Sequence, residues 1–465
     1  MRIVLDMQGA QTKSRFRGIG RYTMSLVKAI VRNRGEHEII IALNGLFPDT
    51  IESIRAAFDG LLPQGNIRVW HAPGPVRECR PGNEWRREVA ERIREAFLAS
   101  LRPDIIHVFS LFEGFVDDAV ISIGVFNTVT PVSVTLHDLI PLVHAESYLE
   151  TNPRYKQYYI RKLGYLKRAS LLLAVSDSSR REAIEHLGFS ENHVVTTYEA
   201  VDEHFRPLAI TKEEEEKLRK KFGILKPFIL YVSGGFDVRK NVNGLIRSYA
   251  RLSTTLRQNY QLVIAGEIQE REKQEYLEFA EQQGIRHAEL NFTGYVSDEE
   301  LVRLYNLCEV FVFPSFHEGF GLPVLEAMAC GAAVIGSNTT SIPEVIGRDD
   351  ALFDPYSDQE IAEKLEQVLT DEDFRKELKR HGLKQAKRFS WDESAKKAID
   401  AFEGYFKVKN KIDKVVWSDM IDYINITYHA LINDIAYISC QLKSVNDIEL
   451  MKLASCIAKN FVTIE

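Results

Sequence analysis

The segment VFVFPSFHEGFGLPVLEAMACG, residues 310–331, joins a hydrophobic run, a glycine-rich turn and a second hydrophobic run. The β-branched and aromatic residues of VFVF predict a buried strand, which the following Pro-Ser pair ends. Gly319 and Gly321 permit a tight turn, and Pro323 suits the first position of a helix that stops at Gly331. The segment therefore predicts one strand–turn–helix unit of a parallel α/β sheet.

Similar units extend to both sides of this segment. Candidate strands in the first half of the chain are RIVLD, HEIIIAL, IRVWHA, DIIHVFS, VSVTLHD, LLLAVS and VVTTY. Those in the second half are FILYVS, QLVIAG, LNFTG, VFVFPS and AAVIGS. Amphipathic segments such as GRYTMSLVKAIVRN lie between them and predict helices on both faces of parallel sheets.

The charged segment ITKEEEEKLRKKFGILKP, which starts at Ile210, separates the two series and predicts an exposed linking helix. We therefore expect an α/β protein with two Rossmann-like domains facing across a cleft, in which a ligand binds beyond the strand ends. The first predicted domain covers residues 1–205, and the second covers residues 206–390. Residues 391–408 are predicted to form a helix that returns to the first domain, and residues 409–465 a helical extension or linker.

The composition limits the classes of function. The chain has 465 residues and a net charge of −7, so nothing in the overall charge favours nucleic acid. Its five cysteines are far apart, which predicts neither a disulfide framework nor a zinc cluster and favours the cytoplasm. The amino terminus has no secretory pattern, and no apolar run approaches the roughly 20 residues that a spanning helix needs.

The glycine turn carries two carboxylates, Glu318 before it and Glu326 in the helix after it. Such a pair fits an acid/base pair, a metal site, or hydrogen-bond acceptors for a sugar. A loop that leads into a helix start offers unpaired N–H groups and partial positive charge, which suit a diphosphate. Alternatively, the glycines only shape a turn and the glutamates lie on the surface. The spacing after a strand favours the diphosphate site.

The Glu318-x7-Glu326 pattern, with GFGLPVLEAMACG and the later SIPEV, resembles the donor site of the family 4 retaining glycosyltransferases, which have the GT-B fold. The resemblance covers residues 1 to about 405. It implies that Glu318 contacts the transferred sugar and that Glu326 binds the ribose. It also implies that the sugar and phosphates lie on the backbone of Gly319, Phe320, Gly321 and Leu322.

A second match to this family is YVSGGFDVRKNVNGLI, residues 231–246. Arg239 and Lys240 follow a strand and a glycine turn, so they can bring positive charge to the leaving diphosphate. The alternative is an ordinary charged helix start. The common family pattern has an arginine at the position of Gly235, so we expect Arg239 to replace it beside Lys240.

Two further matches lie in the first half of the chain. The strand VSVTL ends at His137 and Asp138, and the resemblance implies that His137 approaches the sugar while Asp138 orients it or contacts the acceptor. Gly18 and Gly20, in FRGIGRYTMSL, form a loop that borders the diphosphate and the acceptor in similar enzymes.

One smaller match lies in the second half. In NFTGYVSDEEL, the backbone of Tyr295 and Val296 corresponds to the site of the nucleotide base. No Asp-x-Asp occurs where a metal–diphosphate bridge is expected, so the resemblance implies a reaction that needs no metal and no other cofactor.

The amino-terminal residues and the FPDTIESIRAAFDGLLP region are similar to mannosyltransferases of bacterial O-antigen assembly. This similarity implies mannose transfer from GDP-mannose to a lipid-linked surface glycan in the cytoplasm, with contact to the inner membrane or to other assembly enzymes. The alternatives are a UDP-sugar donor, a nucleotide-sugar epimerase and a non-catalytic glycan-binding module.

Two basic aromatic segments, EWRREVAERIREAFLASL and RYKQYYIRKLGYLKRAS, fit either an anionic membrane surface or ordinary packing. In the first segment Val89, Ile93 and Phe97 share one helix face, and we expect this face to pack on its own sheet.

Overall fold

The computed structural model describes residues 1–412, 431–435 and 447–461. These residues form two compact units, each built around one parallel sheet. The first unit contains Met1–Val175, Arg180–Thr197 and the described residues from Trp391 onward. The second unit contains Ser176–Ser179 and Tyr198–Ser390.

The first sheet has seven strands, all parallel, in the order β3-β2-β1-β4-β5-β6-β7. Their bounds are β1 (Arg2–Asp6), β2 (Glu38–Asn44), β3 (Ile67–Trp70), β4 (Ile105–Val108), β5 (Val132–Leu136), β6 (Leu171–Ala174) and β7 (Val194–Thr196). All seven candidate strands of the first half are confirmed. The central strand β1 is buried almost throughout, as expected for a sheet covered on both faces.

The second sheet has six parallel strands in the order β10-β9-β8-β11-β12-β13. Their bounds are β8 (Phe228–Val232), β9 (Gln261–Ala265), β10 (Leu290–Phe292), β11 (Val310–Phe313), β12 (Val334–Ser337) and β13 (Leu352–Phe353). The five candidate strands of the second half are confirmed. The sixth strand, β13, was not predicted, because two residues are too short for any periodic signal.

Helices separate these strands along most of the chain. Their bounds are α1 (Gly18–Asn33), α2 (Pro48–Ala57), α3 (Glu84–Ser100), α4 (Ile140–Val143), α5 (Ala145–Tyr148), α6 (Pro153–Leu166), α7 (Asp177–Leu187), α8 (Lys212–Phe222), α9 (Val242–Arg251), α10 (Thr254–Asn259), α11 (Glu270–Gln282), α12 (Asp298–Leu307), α13 (Leu322–Ala329), α14 (Ile342–Ile346), α15 (Asp358–Thr370), α16 (Glu372–Ala386), α17 (Trp391–Ile412) and α18 (Asp447–Phe461). Residues 431–435 are also helical. None of the described helices has the length and apolar character that crossing a membrane requires.

The linking helix α8 is confirmed. Thr211 and Glu214 form a capping box at its start, and Gly223 ends it with φ of +66°. Only Leu218 and Phe222 of this helix are buried. Its strong charge therefore belongs to a solvated face, as the sequence predicted.

Helix α17 packs against α1 within the first unit. The ring of Trp391 meets the edge of Tyr22 at a centroid distance of 5.6 Å. Asp392 accepts a hydrogen bond from Arg32 at 3.0 Å, and Glu403 pairs with His37 at 3.0 Å. These contacts join the helix that follows the second unit to the first helix of the chain.

The apolar face of α3 differs from the prediction. Phe97 packs into the core under the first sheet, as expected. Val89 and Ile93 instead join an apolar cluster with Leu431 and Leu453 from the carboxyl-terminal segment. The expected ordinary packing of this face is therefore confirmed, but α18 and residues 431–435, and not the sheet, cover Val89 and Ile93.

Polar contacts fix the same segment. Arg86 of α3 pairs with Glu449 of α18 at 2.8 Å. The Asn460 side chain binds the backbone of His71, accepting from its N–H at 2.7 Å and donating to its carbonyl at 2.7 Å. His71 directly follows β3, which is an edge strand of the first sheet. The described part of the carboxyl-terminal segment is thus built into the first unit.

We expect Leu453→Ala to lower the free energy of unfolding of the first unit by about 2–5 kcal/mol, since Leu453 is 4% exposed and the change leaves a cavity. The matched control is Met451→Ala, because Met451 lies on the same helix and is 64% exposed. Thermal or urea unfolding followed by circular dichroism measures the effect. Equal stability of the two variants would contradict the packing of α18 on α3.

Candidate functional site

The glycine turn between β11 and α13 has the geometry of an anion site. Gly321 has φ of +113°, and a Cβ there would lie 2.8 Å from the Ile342 side chain, so a larger residue is excluded. The backbone N–H groups of residues 319–322 donate to no acceptor in the described part of the chain. Because α13 starts at Leu322, these donors lie at the positive end of a helix.

Glu318, the residue before this turn, is held by two cations. Its carboxylate accepts from Lys240 Nζ at 2.6 Å and from an Arg239 terminal nitrogen at 2.7 Å. Glu318 is only 8% exposed. Burial raises the pKa of Glu318, but the charges of Lys240 and Arg239 outweigh this and lower the pKa to about 2. The predicted sugar-contacting carboxylate and the predicted phosphate-binding cations therefore form one cluster.

The cluster comes together because of the sheet order. β8 and β11 are neighbours in the second sheet, so the loops that follow them leave the same edge side by side. The loop after β8 carries Arg239 and Lys240, and the loop after β11 carries Glu318. Arg239 also donates to the backbone carbonyl of His317 at 3.0 Å, which joins the two loops directly.

Asn241 fixes the loop after β8. It adopts the left-handed conformation with φ of +55° and donates to the carbonyls of Pro314 and Pro355 at 3.1 and 2.7 Å. Gly244 makes this possible, because a Cβ there would lie 2.1 Å from the Asn241 side chain. Sequence reasoning missed Asn241, although the Asn-Val-Asn-Gly run beside the two cations was a visible signal.

The loop after β12 supports the glycine turn. Thr340 accepts a hydrogen bond from the backbone N–H of Glu318 at 3.1 Å. Ser341 donates to the carbonyls of Glu318 and Phe320 at 2.9 and 2.7 Å. The SNTTS segment thus packs against the turn and fixes its conformation.

Glu326 lies in the second turn of α13 and is buried. It accepts a hydrogen bond from the Tyr305 hydroxyl at 3.0 Å. Tyr305 belongs to α12 and was missed, because its sequence context is that of an ordinary core aromatic. The tyrosine orients the carboxylate that the sequence assigns to the ribose.

Gly235 and the two predicted base-binding residues lie in loops of the second unit. Apart from Gly235 and its chain neighbours, no atom of the described residues lies within 4 Å of a Cβ placed at Gly235, so no other side chain fills the position at which the family has an arginine. The guanidinium of Arg239 instead stands beside Lys240 on Glu318. Tyr295 and Val296 follow β10, and the Tyr295 side chain is exposed.

In the first unit, His137 and Asp138 directly follow β5. A ring nitrogen of His137 lies 2.9 Å from the Phe109 carbonyl, and its ring meets the edge of Tyr22 at 4.9 Å between centroids. Asp138 accepts a hydrogen bond from the Ile140 N–H at 3.0 Å. Both predicted residues therefore lie at the carboxyl end of a strand, as expected.

A second histidine, His107, was missed by sequence reasoning. It is buried on β4, and its two ring nitrogens lie 3.1 and 3.0 Å from the hydroxyls of Ser133 and Thr135. Burial, with a smaller contribution from His137, lowers the pKa of His107 to about 3. A neutral, hydrogen-bonded His107 is a structural residue of the sheet.

Gly18 and Gly20 begin α1. A Cβ at Gly20 would lie 2.6 Å from the Ser14 carbonyl and 2.2 Å from the Arg15 backbone, so only glycine allows the preceding turn to rest on the helix start. Gly18 is exposed. Gly20 therefore has a defined packing role, independent of any ligand.

Comparisons with known proteins identify the family of this chain. The family model described as "Glycosyltransferase Family 4" matches residues 16–205, and the one described as "Glycosyl transferases group 1" matches residues 214–385. The serotype-specific mannosyltransferase WbdA of Escherichia coli is 39% identical over 414 residues, which are 89% of this chain and 49% of WbdA. The chain thus spans about half the length of the WbdA relatives that it matches.

Two further proteins extend the comparison. The O-antigen chain mannosyltransferase B of Escherichia coli is 35% identical over 269 residues, covering 58% of this chain and 69% of that protein. The crystal structure of WaaG, a glycosyltransferase involved in lipopolysaccharide biosynthesis, matches with a TM-score of 0.58 at 18% identity. This match covers 87% of this chain and 100% of WaaG.

The depressed pKa of Glu318 predicts how pH affects stability. Its folded-state pKa of about 2 lies below the ordinary 4.5, so its stabilisation is complete above pH 4.5 and is lost as the pH falls towards 2. We therefore expect Glu318→Gln to be less stable than the parent at pH 6 and to approach it near pH 2–3. Thermal unfolding across this range measures the difference.

The matched control for this measurement is Glu299→Gln, because the Glu299 side chain is 88% exposed. We expect the control to follow the parent at every pH. A constant difference between Glu318→Gln and the parent from pH 6 to pH 2 would contradict the ion-pair cluster.

Proposed function

This chain belongs to the family 4 glycosyltransferases, and from that premise we propose that it transfers mannose from GDP-mannose to a hydroxyl of a growing bacterial surface glycan. The observation that carries the proposal is the Glu318, Arg239 and Lys240 cluster beside the open N–H groups of the glycine turn. The names of the relatives, which state mannosyltransferase and O-antigen chain, support mannose as the transferred sugar and a surface glycan as the acceptor.

The diphosphate of the donor binds at the glycine turn. Backbone N–H groups of residues 319–322 and the start of α13 supply its hydrogen-bond donors. Lys240 and Arg239 supply its counter-charge, Lys240 as a point charge and Arg239 as a planar fork. The contacts of both cations with Glu318 support a position for them between the sugar and the phosphates of the donor in this proposal.

Glu326 and the loop after β10 hold the nucleoside. Glu326 is oriented by Tyr305 and accepts a hydrogen bond from a ribose hydroxyl. The backbone of Tyr295 and Val296 contacts the base. This arrangement fixes the nucleotide at two places, so that the sugar is presented in one orientation.

The reaction retains the configuration at the sugar carbon. The bond from that carbon to the diphosphate oxygen breaks, and the acceptor hydroxyl forms the new bond on the same face of the sugar. The acceptor proton passes to the departing phosphate oxygen. The glycine turn, Arg239 and Lys240 stabilise the developing negative charge, while Glu318 and His137 position the oxocarbenium-like sugar. We assign no covalent nucleophile.

Asp138, Gly18 and Gly20 act in the first unit. Asp138 orients His137 or contacts the acceptor. The loop at Gly18 and Gly20 borders the diphosphate and the acceptor. The acceptor itself is lipid-linked in this proposal, which brings the enzyme to the cytoplasmic face of the inner membrane or to other assembly enzymes.

We expect GDP-mannose to be used in preference to UDP-glucose. We also expect Lys240→Ala and Glu326→Ala each to lower kcat/KM by about 100-fold or more, because this is the loss typical of removing one charge-stabilising or positioning group. The measurement is transfer to a mannose-containing acceptor, with the anomeric configuration of the product read by NMR. Glu299→Gln serves as a surface control. Undiminished transfer by both variants would refute the site assignment.

The same assay separates the alternatives. A preference for UDP-glucose would exclude the GDP-mannose donor but leave the donor site in place. Conversion of the nucleotide-sugar without any acceptor would identify an epimerase. Glycan binding without turnover of any donor would identify a binding module, in which Gly235 marks the lost arginine.

We also propose that transfer needs no metal, since Arg239, Lys240 and the α13 start supply the positive charge. We expect kcat to change less than about twofold in excess EDTA, because cationic side chains and a helix start can replace the metal at the leaving group. A loss of activity that Mg²⁺ or Mn²⁺ restores would contradict this prediction.

A further inference from the structure

Glu113 is a buried carboxylate in the first unit that the site described above does not use. It lies in the loop that follows β4, and it is 7% exposed. Its backbone carbonyl accepts a hydrogen bond from the buried Tyr158 hydroxyl at 2.8 Å. The hydrogen bond from Tyr158 on α6 therefore fixes the backbone of Glu113, and other residues contact its side chain.

The two carboxylate oxygens of Glu113 have different surroundings. Oε1 accepts two hydrogen bonds, from the hydroxyls of Ser14 at 2.9 Å and Ser110 at 3.0 Å. Oε2 accepts none from any residue that the structure describes. The surrounding residues do not fully enclose Oε2, so solvent reaches it.

The contacts of Glu113 lead to both functional regions of the first unit. Ser14 belongs to the turn whose carbonyl rests on Gly20, at the start of α1. Ser110 directly follows Phe109, whose carbonyl lies 2.9 Å from a His137 ring nitrogen. Glu113 thus joins the loop before Gly18 and Gly20 to the loop beside His137.

An open oxygen on an otherwise buried carboxylate is a strong hydrogen-bond acceptor. A hydrogen bond that a hydroxyl donates to a carboxylate is shorter and stronger than one between neutral groups. A carboxylate accepts hydrogen bonds and donates none, so it selects hydroxyl or N–H donors and repels anions. Sugar hydroxyls fit this chemistry, whereas the diphosphate does not.

We propose that Glu113 is an acceptor-binding residue, whose Oε2 accepts a hydrogen bond from a hydroxyl of the acceptor glycan while Oε1 holds the turn before Gly18. The proposal rests on the proposed glycosyl transfer for its substrate class. It gives the acceptor a second candidate carboxylate in the first unit, beside Asp138.

The test is Glu113→Gln, which keeps one oxygen for the two serine hydroxyls and replaces the open oxygen by an amide nitrogen. We expect the KM for an α-linked mannotriose acceptor to rise about 10-fold or more, as loss of a charged hydrogen bond requires. The KM for GDP-mannose should change less than about twofold. The melting temperature shows whether the variant is folded.

Glu88→Gln is the matched control, because it makes the same charge change at an exposed position of the first unit. Binding of fluorescently labelled mannotriose, measured without any donor, separates the two proposals. If the parent binds mannotriose, Glu113→Gln does not, and no donor is turned over, the acceptor contact stands and the transferase function fails. An unchanged acceptor KM and affinity in folded Glu113→Gln, or a parent that does not bind mannotriose, would overturn the inference.

Discussion

The ion pairs of Glu318 with Lys240 and Arg239 are the interaction on which the candidate site of the second unit depends. A carboxylate that is nearly enclosed is strongly disfavoured unless opposite charges compensate it, and here two cations do so within 2.7 Å. The three side chains come from two loops that are about 80 residues apart in sequence. These ion pairs therefore hold both loops together at one edge of the second sheet.

Around this cluster the neighbouring groups act mainly by fixing backbone. Asn241 binds two proline carbonyls, and Ser341 binds two carbonyls of the glycine turn. These contacts leave the N–H groups of the turn unengaged by the described residues, so the turn is preorganised for an anion before any ligand arrives. The rigidity of the site thus comes from uncharged side chains, and its charge comes from three residues.

Much of the fold follows from the sequence. The expected class, α/β with two Rossmann-like parallel sheets of the GT-B type and carboxyl-terminal helices, is confirmed, because a short continuous hydrophobic run is a local signal that the longer strands carry. The short β13 gave no such signal. The packing partner of Val89 and Ile93 was mispredicted, because the apolar spacing of a helix predicts that the face is buried but does not identify the element that covers it.

The site was predictable where a motif existed. Glu318, Lys240 and the glycine turn stand in recognisable spacing, and the structure brings them together. Tyr305 and Glu113 were missed because their local sequences are ordinary. Tyr305 resembles any core aromatic residue, and Glu113 resembles any loop carboxylate. Their contacts depend on tertiary neighbours at distances of 3.0 and 2.9 Å, which no local pattern contains.

The hydrogen bonds between Asn460 and His71 have a consequence for the edge of the first sheet. An asparagine amide offers the same donor and acceptor as a peptide group, so α18 supplies the pairing that a further strand would give at the end of β3. An exposed sheet edge invites pairing with another molecule. By pairing the backbone of His71 with a side chain from a helix, the chain leaves the donor and acceptor at this one position unavailable to the backbone of another molecule.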